Sequence, residues 1–313
     1  LFVGGVMATL MATDIWEETG VVPVRGVLTS PSQIDLDGNV NIDLLPPDYS
    51  ILDGRLYAIN QTYYGYTSRG CVNRCAFCGV PKIEPNYVPR IDIRPMIRQM
   101  REEYGDKPRL KLMDNNVLPS PHLAQIVDDL LELGYGRGQM TEDSPPKRRV
   151  VDFNQGLDAS HVTEETMELL SKLNVSPMRI AFDKVSDHDE YVRAVRLAKD
   201  YGFNEFSNYM LYNWRDTPRD LYDRLVINIE LNQEWQEEPR SAGRTAAIYS
   251  YPMRFAPIDE KLGKHTNRSR DYVSPPPETQ TDFIEGAVWT RLFIRSVEVM
   301  KGVAHGAISP TPG

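Results

Sequence analysis

The stretch Tyr64-Gly-Tyr-Thr-Ser-Arg-Gly-Cys71-Val-Asn-Arg-Cys75-Ala-Phe-Cys78-Gly79 contains every cysteine of the 313-residue chain. The first two cysteines are separated by three residues, and the second and third by two. Thiolates this close in sequence can converge on one inorganic centre, because a short loop brings their sulfurs together without help from distant parts of the chain. Three thiolates leave one position of such a centre open.

The open position allows more than one kind of centre. A structural zinc ion takes four protein ligands, and with no cysteine left the fourth would be a histidine. Every histidine lies far from the cysteines in sequence: His122, His161, His188, His265 and His305. Ordinary buried thiols and half of a disulfide set are further alternatives. An odd number of clustered cysteines argues against a secreted disulfide framework and for a reducing compartment.

The spacing Cys71-x3-Cys75-x2-Cys78, with Phe77 just before the last cysteine, resembles the signature of the radical S-adenosylmethionine (SAM) superfamily. The resemblance implies that Cys71, Cys75 and Cys78 hold a 4Fe-4S cluster and that the amino and carboxylate groups of SAM bind the fourth iron. It further implies reductive cleavage of SAM to methionine and a 5'-deoxyadenosyl radical. The electron would come from an external one-electron reductant of the flavodoxin or ferredoxin type.

The composition is that of a soluble globular protein. A formal net charge of -9 gives no general electrostatic footprint for nucleic acid. No apolar stretch reaches the length that spans a membrane, and no signal peptide is present, so a cytoplasmic protein is expected.

The residues upstream of the cysteines predict the remnant of another domain. Leu1–Val3 reads as a buried strand, followed by a Gly-Gly turn and a helix from Val6. This segment resembles the last part of the cobalamin-binding-like domain that precedes many radical SAM enzymes. The cobalamin-ligating Asp-x-His-x-x-Gly motif is absent from the sequence, so the resemblance carries no cobalamin site with it.

Three regions are expected along the chain. Residues 1–55 would be the carboxyl-terminal remnant of the cobalamin-binding-like α/β domain plus a linker, 56–303 the radical SAM core, and 304–313 a truncated tail. Both ends read as cuts through a longer protein.

Strand-like and helix-like runs alternate from Tyr63 onward, which favours parallel strands joined by right-handed crossovers. Helices are expected to begin near Ser120, Thr163, Asp187 and Thr217, with a last one over 281–301. The fold predicted is a partial (β/α)6 TIM-like barrel, preceded by a fragment of an open, Rossmann-like α/β domain. The six predicted strands cover 63–68, 109–115, 149–155, 178–182, 205–212 and 246–251.

Ligands of such barrels gather at the carboxyl ends of the strands, and polar residues there are candidates for binding SAM. Asp114 could accept a hydrogen bond from the SAM ammonium, with helix capping as the competing role. Arg254 could bind a carboxylate in bidentate fashion, with a surface position as its alternative. The complete set of predicted cofactor contacts is Phe77, Asp114, Asn115, Asn154, Gln155, Asp158, Asn208 and Arg254.

The sequence is compatible with two functions. One is a radical SAM enzyme, with radical methyl transfer as the leading subtype because of the upstream segment. Methylthiolation is weakened, because the sequence has no cysteines for a second cluster. The other is a non-catalytic module in which zinc or an iron-sulfur cluster only holds the loop. The substrate and the catalytic residues are left open.

Overall fold

The structure is a computed structural model that describes residues 1–238 and 245–255. The chain divides into two compact units. The first comprises Leu1–Arg74, Cys78–Leu157 and His161–Ser176, and the second comprises Cys75–Phe77, Asp158–Ser160 and the described residues from Pro177 onward. The boundary therefore cuts the cysteine loop, since Cys75 belongs to the second unit and the other two cysteines to the first.

The first unit is built on a three-stranded parallel sheet with strand order β1-β2-β3. Its register pairs Thr62 with Arg109 and Arg109 with Val150. Buried leucines of β2 and the apolar stripes of the flanking helices form its core. Its elements are α1 (Val6–Leu10), α2 (Ala12–Thr19), β1 (Thr62–Gly65), α3 (Val80–Ile83), α4 (Arg94–Tyr104), β2 (Arg109–Leu112), α5 (Leu123–Glu132), β3 (Val150–Phe153) and α6 (Glu164–Leu170).

The second unit repeats this plan with a parallel sheet of order β4-β5-β6. Its elements are β4 (Met178–Arg179), α7 (His188–Asp200), β5 (Glu205–Tyr212), α8 (Pro218–Glu237) and β6 (Ala247–Arg254).

A chain of buried polar side chains joins this second sheet to α7 and α8. Asn208 donates to the Tyr191 hydroxyl at 2.8 Å, Tyr191 donates to Asn228 at 2.9 Å, and Asn228 donates to Ser250 at 2.8 Å. Since every member but the Asn208 carbonyl oxygen is paired, the layer fixes how the helices lie on the strands.

The predicted α/β class with parallel strands is confirmed, and each of the six strands overlaps its predicted range. β1 ends at Gly65, three residues before the predicted end, because the Thr67 N–H donates to the Asp114 carboxylate and not to a neighbouring strand. The helices begin within a few residues of their predicted starts. The helix expected over 281–301 and the tail 304–313 lie outside the described residues.

The strand predicted at Leu1–Val3 is wrong. These residues form no strand, and the side chains of Leu1 and Phe2 are exposed rather than buried. The carbonyl of Val3 accepts one hydrogen bond, from the Val24 N–H at 2.8 Å, which is too little for a ladder. The helix predicted after the glycine pair is present as α1. Within the described ranges, no helix is both long and apolar enough to cross a membrane.

Candidate functional site

The cysteine loop follows β1 and leads into α3. None of the three cysteines forms a disulfide; Cys75 is exposed, and Cys71 and Cys78 are half-buried. The Cys71 sulfur accepts the Asn73 N–H at 3.3 Å, and the Cys78 sulfur accepts the Val80 N–H at 3.4 Å. Backbone N–H groups directed at sulfur stabilise thiolate ligands and tune the reduction potential of a cluster that they hold.

The start of the loop is held by Glu84, a residue that sequence reasoning missed. Its carboxylate accepts hydrogen bonds from the Gly70 N–H at 2.6 Å, the Asn115 amide at 2.8 Å and the Arg69 guanidinium at 2.9 Å. Arg69 also pairs with Asp43. These three hydrogen bonds to one shielded carboxylate tie the start of the loop to Asn115, which lies three residues after the end of β2.

Gly70 is required where the loop passes the segment that leads to α4. Its φ of +70° is in the left-handed region, and an added Cβ would lie 2.6 Å from the Asn86 carbonyl oxygen. Arg69 and Val88 form an antiparallel bridge beside it, with N–H to oxygen distances of 3.0 and 2.9 Å. The loop therefore begins in a backbone contact that only glycine fits.

Asp114, at the carboxyl end of β2, is fully enclosed. Its carboxylate accepts the Thr67 N–H at 3.0 Å, the Thr67 hydroxyl at 2.7 Å and the Ser68 hydroxyl at 2.6 Å. Burial raises the pKa of this carboxyl, and the hydrogen bonds oppose that shift. Asp114 therefore fixes Thr67 and Ser68, the residues between β1 and the cysteine loop.

The cysteine loop fits an iron-sulfur cluster in the chemistry of its donors: three cysteines that form no disulfide, with backbone N–H groups directed at the sulfurs of Cys71 and Cys78. Within residues 1–238 and 245–255, no group of three or more His, Cys, Asp or Glu side chains is gathered as for one metal ion. Thiolates on a four-iron cube each bind a different iron and so need not meet at one point. Three cysteines on one loop match the three thiolate ligands of such a cube, whereas a tetrahedral zinc ion would need a fourth protein ligand.

An aromatic cluster lies at the carboxyl ends of β5 and β6 and includes Phe77 of the cysteine loop. The ring of Phe77 meets the Trp214 indole edge-to-face, with centroids 6.2 Å apart, and Trp214 packs on Phe255 at 4.6 Å. Beside it lies a cavity of about 400 Å³ in the second unit. Its walls are residues 75–77, 183–186 and 214–216, with Asp220 and Arg224 from α8.

The cavity is lined by the charged side chains of Asp183, Asp216 and Arg224, of which sequence reasoning missed Asp216 and Arg224. Burial raises the pKa of Asp183, whose carboxylate accepts the Leu211 N–H at 3.3 Å. Burial also raises the pKa of Asp216 to about 6, although Arg224 lies 3.0 Å away and opposes the shift. The same burial lowers the pKa of Arg224, so desolvation outweighs attraction for both partners of this pair.

Asn213, at the end of β5, is fully buried with a φ of +69°. Neither its amide nitrogen nor its amide oxygen has a hydrogen-bond partner in the described part of the chain. A buried amide without partners costs free energy, and such a group is expected where a bound molecule completes the hydrogen bonds.

The remaining predicted contacts are spread between the two units. Asn154, in the first, donates weakly to the Met113 sulfur at 3.7 Å, and Gln155 beside it is exposed. Asp158, in the second, accepts the Ser160 N–H at 3.0 Å and so closes a turn. Arg254 is half-buried at the end of β6.

Asn208 does not join the strand-end residues, contrary to what was predicted for it. Its amide points into the polar layer between sheet and helices, where it donates to Tyr191 at 2.8 Å. The alternation of side chains along β5 explains this position, because Asn208, Met210 and Tyr212 share the buried face of the strand.

A family profile described as the Radical SAM superfamily matches residues 66–224, from just before the cysteine loop to Arg224 in α8. The chain belongs to the radical SAM superfamily. Members of this superfamily hold a 4Fe-4S cluster and use SAM as a cofactor. The resemblance of the cysteine motif is thereby confirmed at the level of the superfamily.

Two solved structures are similar to this chain. SuiB of Streptococcus suis, bound to the precursor peptide SuiA, has 12% identity and a TM-score of 0.43, over 66% of this chain and 42% of SuiB. HydG, a maturase of the [FeFe]-hydrogenase, has 14% identity and a TM-score of 0.48, over 95% of this chain and 61% of HydG. This radical SAM chain thus spans about half the length of these two neighbours. A comparison with curated proteins gives no match.

Proposed function

We propose that this chain is a radical SAM enzyme in which Cys71, Cys75 and Cys78 hold the 4Fe-4S cluster. When bound, the cluster supplies the electron that cleaves SAM into methionine and a 5'-deoxyadenosyl radical. The observation that carries the proposal is the motif itself: three cysteines on one loop that follows β1, in a chain that matches the superfamily profile from residue 66 onward. The alternative is a module in which zinc or the cluster only holds the loop.

The chain contributes position and shielding. The N–H groups of Asn73 and Val80 orient the sulfurs, and Glu84 fixes where the loop begins. We place SAM at the carboxyl ends of the strands of a partial (β/α)6 barrel, because (β/α) barrels bind their ligands there. The residues proposed to contact SAM are Phe77, Asp114, Asn115, Asn154, Gln155, Asp158 and Arg254. For Asp114 the contact would involve whichever lone pairs Thr67 and Ser68 leave available.

Two finer elements complete the proposal. The electron donor is a flavodoxin- or ferredoxin-like protein, and the reaction is radical methyl transfer. The support for methyl transfer is the sequence of the upstream segment, whose first residues do not form the strand expected of it. SAM labelled in its methyl group would distinguish the subtypes, because transfer puts the label into a substrate while hydrogen abstraction alone leaves it in methionine.

Anaerobic reconstitution with iron and sulfide tests the central claim. We expect about four irons per chain, an electron paramagnetic resonance signal of the dithionite-reduced protein that changes when SAM is added, and release of 5'-deoxyadenosine. A variant with Cys71, Cys75 and Cys78 all replaced by alanine should lose all three properties. The matched control is Asn73→Ala, a substitution on the same loop that leaves all three thiols in place.

Two results would refute the catalytic proposal. One is zinc as the only bound metal after reconstitution. The other is a cluster whose spectrum does not respond to SAM, because a purely structural centre has no site for it. Continued SAM cleavage by the triple cysteine variant would refute the ligand assignment.

A further inference from the structure

The middle of the cysteine loop is held by aromatic packing in the second unit. The rings of Phe77 and Trp214 meet edge-to-face, and Trp214 in turn packs on Phe255, which is 3% exposed. Leu211 and Phe77 are the partly buried side chains against this pair. Edge-to-face aromatic contacts are directional, so the position of the indole determines where the ring of Phe77 lies.

The indole is itself placed by an unusual backbone. Asn213 and Arg215, the residues on either side of Trp214, have φ values of +69° and +49°. Non-glycine residues rarely adopt this region, and they keep it only where surrounding contacts impose it. The contact that fixes this stretch is with Asp216, whose carboxylate accepts the backbone N–H of Trp214 at 2.8 Å.

Asp216 is held by Arg224 of α8, whose side chain is fully buried. The guanidinium donates to Asp216 at 3.0 Å and to the carbonyls of Phe182 and Asp183 at 3.0 and 2.8 Å. It also donates to the Asp220 carbonyl at 3.3 Å. One planar group therefore joins the chain after β4 to the chain after β5, and a lysine could not reproduce this fork.

We propose that Arg224 and Asp216 are positioning residues for the cysteine loop: they fix Trp214, and Trp214 seats Phe77 between Cys75 and Cys78. The consequence for the cluster rests on the proposed function. The consequence for the loop does not, since it holds in the protein without iron.

The test in the iron-free full-length chain is the rate at which each thiol is alkylated, followed by peptide mass spectrometry. We expect Trp214→Leu and Phe77→Leu to raise the rate at Cys78 relative to Cys71 by about fivefold or more, because the loop opens more often when its contact is lost. Arg224→Lys should change the ratio in the same direction. Trp214→Phe keeps an aromatic ring and should restore most of the protection.

Trp235→Leu is the matched control, since Trp235 is also buried in the second unit but packs on Phe206. It should leave the ratio of rates unchanged. An unchanged ratio in both Trp214→Leu and Phe77→Leu would overturn the proposal. An equal rise in Trp235→Leu would also overturn it, because the effect would then be general loosening of the unit.

The reconstituted protein gives a second readout. With cluster content matched to the wild type, Trp214→Leu and Arg224→Lys should shift the g values of the reduced cluster or weaken their response to SAM, and Trp235→Leu should not. A wild type that binds no iron but shows the alkylation pattern would refute the proposed function and leave the positioning role standing.

Discussion

Asp114 and Glu84 in the first unit differ from Asn213 in the second in how their hydrogen bonds are satisfied. In the first unit, Asp114 and Glu84 each accept at least three hydrogen bonds and have their donors close by. In the second unit, the side-chain amide of Asn213 is buried and has no hydrogen-bond partner among the described residues. The pKa of Asp216 is raised even though the Arg224 guanidinium lies beside it.

This difference separates two kinds of polar residue that look alike in a sequence. A saturated carboxylate at a strand end contributes to the stability of the fold, because removing it leaves buried donors without acceptors. An unsatisfied amide costs stability in the free protein and is retained where it serves another purpose. Asp114 and Glu84 thus hold the start of the cysteine loop in place, whereas the hydrogen-bonding capacity of the Asn213 amide is unused among the described residues.

The largest expected effect is at Asp114. Asp114→Ala should lower the free energy of unfolding by about 3 kcal/mol, because three buried donors from Thr67 and Ser68 lose their acceptor. Urea unfolding measures the change. Asp48→Ala is the control: this carboxylate caps an exposed turn in the same unit, and its loss should change stability little. Equal effects of the two substitutions would mean that saturation at the strand end is not stabilising.

Gly70→Ala should have the next largest effect. A positive φ alone costs an alanine about 1 kcal/mol, and a Cβ placed 2.6 Å from the Asn86 carbonyl oxygen must also displace backbone, for a total of about 2 kcal/mol or more. Gly138→Ala isolates the clash, since Gly138 has a φ of +79° and its added Cβ meets nothing within 4 Å. If both variants lose the same stability, the close approach at Gly70 contributes nothing.

The sequence was a good guide wherever the information was local. The cysteine spacing, the alternation of strands and helices and the capping residue Thr163 could all be read directly, and the structure agrees on the elements. The failures depend on tertiary contacts. Which face of β5 carries Asn208 follows from the helices that pack on it, and no motif marks Glu84 as an acceptor for Gly70.

The same limit explains why Arg224 was missed and Leu1–Val3 was misassigned. An arginine in an amphipathic helix reads as a solvated charge, and only the fold shows that it reaches the carbonyls after β4. A short apolar run reads as a strand, but it becomes one only if a neighbouring strand pairs with it, and none does within the described residues.

A smaller effect is expected from the pH dependence of stability at Asp216. Its folded pKa of about 6 is above the value of 3.8 for an unperturbed aspartate, so the folded state binds more protons between these values. Stability from this group is therefore greatest at low pH and is lost as the pH rises through 6. The wild type should lose about 1 kcal/mol relative to Asp216→Asn between about pH 5 and pH 7. If the free energy of unfolding changed equally with pH in the two proteins over this range, the raised pKa would be contradicted.

The smallest effect on stability is expected at Asn213, where the two sheets differ most. Asn213→Gly accepts the φ of +69° without strain and removes a buried amide with no described partner, so unfolding should change by less than about 1 kcal/mol. Affinity for SAM or substrate in the reconstituted protein should nevertheless fall, measured by calorimetry. Asn208→Leu is the control on the same strand: it loses the bond to Tyr191 and should reduce stability without changing affinity. If Asn213→Gly keeps full affinity, the unsatisfied amide is not held for a ligand, and the contrast between the two sheet ends is one of packing alone.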